Sequence, residues 1–162
     1  MYIVRRWVTR NARSFEVFYR LTARVFHALD PLWAGLHRTP LERPFTAVEA
    51  WCKGILFDCR MCGRCRLSVT GMTCVMNCPK TIANGPCGGV REDGHCEVEP
   101  DMRCVWVEAW SGAQRMRGGM AIRTPQVPLN HAIDGTSAWL RLSTENLERR
   151  RDAVRRDAEG AS

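Results

Sequence analysis

A chain of 162 residues, 45% of them hydrophobic, has length for one domain with a modest core. It carries a formal charge of +7 and nine cysteines, at 52, 59, 62, 65, 74, 78, 87, 96 and 104. No stretch approaches the ~18 consecutive apolar residues of a membrane span, so none is expected. The positive charge sits on the flanks: residues 1–44 hold 8 Arg against 3 acids and residues 111–162 hold 9 Arg against 6 acids, whereas residues 45–110 hold 7 bases and 8 acids. A nucleic-acid binder would interleave aromatics with a continuous basic strip. The tryptophans near the cysteines do not lie on one, and no nucleic-acid partner is expected.

The chain opens on "MYIVRRWVTRNARSF", with a twin arginine at Arg5 and Arg6. The apolar stretch of an export signal does not follow, and Thr9, Arg10, Asn11 and Arg13 arrive instead. The expected location is therefore cytoplasmic, where thiols stay reduced and clustered cysteines hold metal more often than disulfides. Residues 11–29 predict a helix, because Phe15, Phe18, Thr22, Val25 and Leu29 recur at three and four with Tyr19 and Phe26 beside them. That stripe is expected to bury against the chain's own cysteine region or a partner. Asp30-Pro31 marks its stop.

"HRTPLERP" (37–44) reads as a linker. A short helix is expected from about Phe45 to Leu56, with Val48, Trp51 and Cys52 inward. Residues 58–104 sustain neither helical nor strand periodicity and predict irregular loops around a metal. "CVWVEAW" (104–110) alternates as a short strand or final turn. Residues 111–140 predict an extended segment in which "TSAWLRL" is an apolar island expected to dock. A charged, solvated helix is expected from about Ser143. The fold class is thus a small irregular metal-stabilised α domain with minor β, a cysteine-rich cluster-binding core with flanking helices. Its expected parts are a basic helical arm and linker (1–44), the cysteine module (45–110) and a docking tail ending in a charged helix (111–162).

Five cysteines fall within "CRMCGRCRLSVTGMTCVMNCP" (59–79). Cys59-x2-Cys62-x2-Cys65 puts three thiols on one curl of backbone, the spacing with which ferredoxin-type loops grip a cubane cluster. The fourth ligand is often a cysteine before proline, which makes Cys78-Pro79 the first choice on spacing. Glycines at 63, 71, 85, 88 and 89 flank the thiols, where a backbone without a β-carbon can approach inorganic sulfide and offer it N–H donors. Zinc is the rival: Cys62/Cys65 and Cys74/Cys78 make two pairs. A triplet is awkward for one tetrahedral ion and natural for a cubane, so spacing favours iron–sulfur and leaves zinc open. Cys52 reads as a small buried thiol.

The string "CRMCGRCRLSVTGMTCVMNCPKTIANGPCGGVREDGHCEVEPDMRCVW" closely resembles the methylenetetrahydrofolate reductase C-terminal domain family, over residues 57 to about 110 without a gap. "DGTSAWL" (134–140) also resembles a tail of these proteins. The resemblance implies that Cys59, Cys62, Cys65, Cys74, Cys78, Cys87, Cys96 and Cys104 are metal ligands, holding one or two [4Fe-4S] clusters. It implies an accessory electron-transfer subunit of a flavin-dependent methylenetetrahydrofolate reductase, not catalytic alone. FAD is expected only on the partner flavoprotein, with an electron-donor protein as a further partner. A zinc- or cluster-stapled docking module of that reductase is the alternative.

Overall fold

The computed structural model describes residues 2–37, 39–85 and 87–160. Arg38 of the expected linker and Pro86 of the "NGPCGGV" string lie outside the described residues. Among the described residues, six helices carry the architecture: α1 (Tyr2–Arg10), α2 (Ala12–Ala28), α3 (Asp30–Leu36), α4 (Glu42–Phe57), α5 (Val105–Ala113) and α6 (Ala138–Gly160). Short 3-10 turns occupy Val75–Asn77, Gly119–Arg123 and His131–Ile133. Among the described residues, β structure amounts to two isolated antiparallel bridges, Val90 with Cys96 and His95 with Arg103. The domain is therefore mostly helical with little strand and many cysteines. No described helix is long and apolar enough to cross a membrane.

The first helix was not anticipated, because its buried side is partly polar. Arg5, Val8 and Thr9 face inward. Thr9 donates to the Arg5 carbonyl at 3.0 Å and shares a hydroxyl contact with Thr73, also 3.0 Å. Arg5 and Arg6 reach Asp58 and Glu108, each at 3.8 Å, so the twin arginine serves the fold here. Helix α2 ends where expected, yet Pro31 does not end helical structure. It lies in the first turn of α3, where its missing N–H needs no partner. The α2 stripe divides: Phe15, Tyr19 and Phe26 pack inward, while Phe18 and Val25 remain exposed.

Helix α4 corrects the expected inward set. Val48 and Trp51 are exposed, and the buried face is Glu49, Lys53 and Phe57 at i, i+4 and i+8. Two opposite charges one turn apart neutralise each other, so this face is apolar in effect though not in composition. Residues 105–110 form the start of α5, with Cys104 just before it, rather than a short strand or final turn. Val105, Trp106, Ala109, Gly112 and Ala113 bury at helical spacing. The expected extended stretch 111–140 likewise contains the end of α5 and two 3-10 turns, and the last helix starts at Ala138 instead of Ser143.

Two aromatic groups join the helices. Trp7, Phe15 and Phe57 link α1, α2 and α4 at centroid distances of 5.5 and 6.1 Å. Phe26 stacks on Trp33 at 4.8 Å, and Trp139 and Phe45 close a second group across α2, α3, α4 and α6. The "TSAWLRL" island thus docks on the chain itself, with Leu140 wholly buried. Leu140→Ala is expected to cost about 2–5 kcal/mol through lost burial and a residual cavity. A lowered thermal midpoint at unchanged helix content checks this.

Candidate metal centre

Helix α4 stops because Asp58 turns left-handed (φ 52°) and returns its N–H to the Gly54 carbonyl at 3.0 Å. The chain then curls through Met61 and Gly63, both at positive φ, and carries Cys59, Cys62 and Cys65 round one loop. Asn77 fastens the start of this loop. Its amide donates to the Asp58 carbonyl at 2.9 Å, and its oxygen accepts from Arg60 Nε at 2.7 Å. Arg66 fastens the end, donating to the Ala83 carbonyl at 2.8 Å and to the Val127 carbonyl.

Cys59, Cys62, Cys65 and Cys74 line one cavity, with Glu49, Lys53, Thr70, Thr73 and Thr136 in its wall. The sulfur that joins the triplet here is that of Cys74. Cys78 does not line this cavity and packs instead with Cys104, Val105 and Trp106 in a separate apolar group. The segment 133–138 covers the loop: Gly135 N–H donates to the Met61 carbonyl at 2.7 Å. A β-carbon on Gly63 would stand 2.4 Å from the Ile133 carbonyl oxygen, so this cover requires glycine at 63.

Charge in the cavity wall is organised. Lys53 pairs with Glu49, whose other oxygen accepts from Ser137 Oγ, and the Lys53 ammonium lies 4.4 Å from the centre of the Trp139 ring. Lys53 is only 3% exposed and Glu49 1%. Removing either partner would leave an uncompensated buried charge, a cost of about 3–5 kcal/mol. A hydrogen bond from Cys74 lowers the Cys59 thiol to about 6, aided by the Met61 N–H at 3.4 Å and by Lys53. That hydrogen bond and burial push Cys74 upward. Burial also raises Cys65, against the pull of Lys53 and of the Leu67 N–H. Tyr19 is raised well above the usual phenol range by the charge of Cys65 and by burial.

Thiols lining one cavity are the residues that could hold a sulfur-bound metal group. Backbone N–H groups of Met61, Leu67, Arg60 and Met76 point at Cys59, Cys65 and Cys74, where they would stabilise thiolates. All nine cysteines are free thiols. Among the described residues, no group of three or more His, Cys, Asp or Glu side chains is placed to hold a metal ion.

Cys78, Cys87, Cys96 and Cys104 do not line this cavity. Cys96 N–H donates to Met102 and Cys104 N–H to Gly94, both at 2.9 Å, which folds 94–104 into a compact turn. Lys80, held chiefly by Glu97, also feels the charges of Cys87 and Cys96, which places those two thiols beside it. Glu49, Lys53, Tyr19 and Ser137 were not singled out from the sequence. The i, i+4 spacing of Glu49 and Lys53 was the one local signal available. Ser137→Ala removes one donor to the buried Glu49 carboxylate and is expected to cost about 1–3 kcal/mol, checked by chemical denaturation.

A small, mostly helical, cysteine-rich domain with little strand defines the class. The family model described as methylene-tetrahydrofolate reductase C terminal matches residues 39–131, from the start of α4 through the cysteine loops and α5 to the last 3-10 turn. The chain belongs to that family. No curated protein and no solved structure matches it.

Proposed function

We propose that this chain is an accessory iron–sulfur subunit that relays electrons to or from the flavin of a separate methylenetetrahydrofolate reductase. One observation carries the reading: Cys59, Cys62, Cys65 and Cys74 ring a single cavity whose wall holds N–H donors and the Lys53 cation. A four-iron cluster bound there would supply single-electron transfer, which a flavin can accept singly and deliver as a pair. This chain's own residues bind and insulate. The four sulfurs hold, the backbone donors and Lys53 offset negative charge, and the 133–138 segment covers the loop. Cys78, Cys87, Cys96 and Cys104 are the proposed ligands of a second centre.

Family membership supports a flavoprotein methylenetetrahydrofolate reductase as the partner, with an electron-donor protein as a second one. The metal is proposed to stabilise the fold as well. The stretch 58–104 has few regular hydrogen-bonded elements, and ligand binding there contributes folding free energy directly. Purification without oxygen, with iron, acid-labile sulfide and zinc measured together, tests the reading. Iron and sulfide in equal amounts, with a visible absorption that bleaches on reduction, are expected. A colourless chain containing zinc and no sulfide overturns the relay and leaves a structural docking module.

A further inference from the structure

We infer that Lys53 is a positioning residue: a fixed buried cation that raises the reduction potential of an iron–sulfur centre held by Cys59, Cys62, Cys65 and Cys74. The inference rests on the iron–sulfur reading above and goes beyond it, in assigning to one side chain the control of how readily that centre takes an electron.

The geometry fixes the ammonium from several sides. Helix α4 places Glu49 and Lys53 one turn apart and turns both into the cavity wall that carries the four sulfurs. Glu49 binds Lys53 through Oε1, while Oε2 is engaged by Ser137 at the start of α6. Trp139 presents its ring to the ammonium from the same segment. The carboxylate is thereby tied to α6 as well as to Lys53, and the ammonium is held in the wall of the cavity that the four cysteines line.

The sign follows from electrostatics. Adding one electron at the sulfurs increases the negative charge there, so a nearby fixed cation favours the reduced state. Burial keeps salt from screening the interaction. An ion pair that merely tied α4 to α6 would change stability and leave the potential where it was.

The test uses the full chain, loaded without oxygen and titrated potentiometrically while the reduced centre is followed by electron paramagnetic resonance. Lys53→Met is expected to lower the potential, so that the reduced-to-oxidised ratio at a fixed potential falls on the order of tenfold, 59 mV for one electron. Glu49→Gln keeps the cation and removes its counter-charge, and should shift the ratio the opposite way. Lys53→Arg should stay near the parent value. A centre at Cys78, Cys87, Cys96 and Cys104 should keep its potential throughout.

Unchanged potentials in Lys53→Met and Glu49→Gln, with iron and sulfide retained, overturn the inference and spare the relay. Shifts of the same sign in both variants overturn it equally. If Lys53→Met does not fold, the direction of the Glu49→Gln shift alone decides. Absence of iron and sulfide from the parent chain defeats the iron–sulfur reading, and this inference with it.

Discussion

A Cys74→Ser chain purified without oxygen is expected to lose the whole of one centre, about four irons with their sulfides, and Cys78→Ser an equal amount from the other. The two substitutions are separable in a Cys59→Ala background. If Cys59 and Cys74 serve one centre, adding Cys74→Ser to Cys59→Ala removes no further iron, because the effects of groups acting as a unit do not add. Adding Cys78→Ser should strip the remainder. The physical ground is the lining of the cavity. Cys74 stands in it beside Cys59, close enough to share a hydrogen bond, whereas Cys78 is turned into the apolar group beneath α5. The reverse pattern, with Cys78→Ser silent in the Cys59→Ala background, would regroup the ligands as the Cys-Pro spacing alone suggests.

That contrast shows what the sequence could convey. The triplet spacing identifies a loop, and the loop is there. Sequence separation says nothing about which fourth thiol the chain brings back. Here the choice depends on the 3-10 turn Val75–Asn77, which separates Cys74 from Cys78 and is fixed by Asn77 reaching to the carbonyls of Phe57 and Asp58. The same limit explains the helices. Helix α2 was legible because its stripe is apolar, and most of α4 because its linker and length are clear. Helix α1 was not, since Arg5 and Thr9 face inward and find partners far along the chain in Asp58 and Thr73. Binary patterning assigns such residues to solvent.

Buried charge was the least legible feature of all. Glu16 illustrates it on α2: only 3% exposed, it accepts from the N–H groups of Arg117 and Gly118, at 2.7 and 3.0 Å, and so fixes the turn that follows α5. A lone glutamate on an aromatic helix reads as a surface residue until the segment one hundred positions later is laid against it. Glu49 and Lys53 repeat the case at the cavity. The family match stops at residue 131, so the 134–140 segment that engages both residues lies beyond it. Its apolar island was expected to dock, but its hold on Glu49 and Lys53 emerges from contacts alone.

Gly71→Ala is expected to be severely damaging although it leaves every thiol in place. Gly71 has φ +63°, and a β-carbon there would lie 2.2 Å from the Ala109 carbonyl oxygen and 2.5 Å from the Ala113 nitrogen. Its partner in the contact is Gly112, where a β-carbon would meet the Gly71 oxygen, also at 2.2 Å. Two backbones touch, and neither can retreat as a flexible side chain would. Left-handed strain and overpacking together suggest a loss of about 2–6 kcal/mol, read as a fall of roughly 5–20 °C in the thermal midpoint. Gly85 supplies the control, since it shares the positive φ (+79°) and has open space around its would-be β-carbon. Gly85→Ala should cost only the conformational part, about 1 kcal/mol. Equal midpoints for the two variants would mean that α5 does not press on the cysteine loop. If it does, Gly71→Ala must also displace Met72–Cys74, and the iron bound through Cys74 should fall in the same preparation that loses stability.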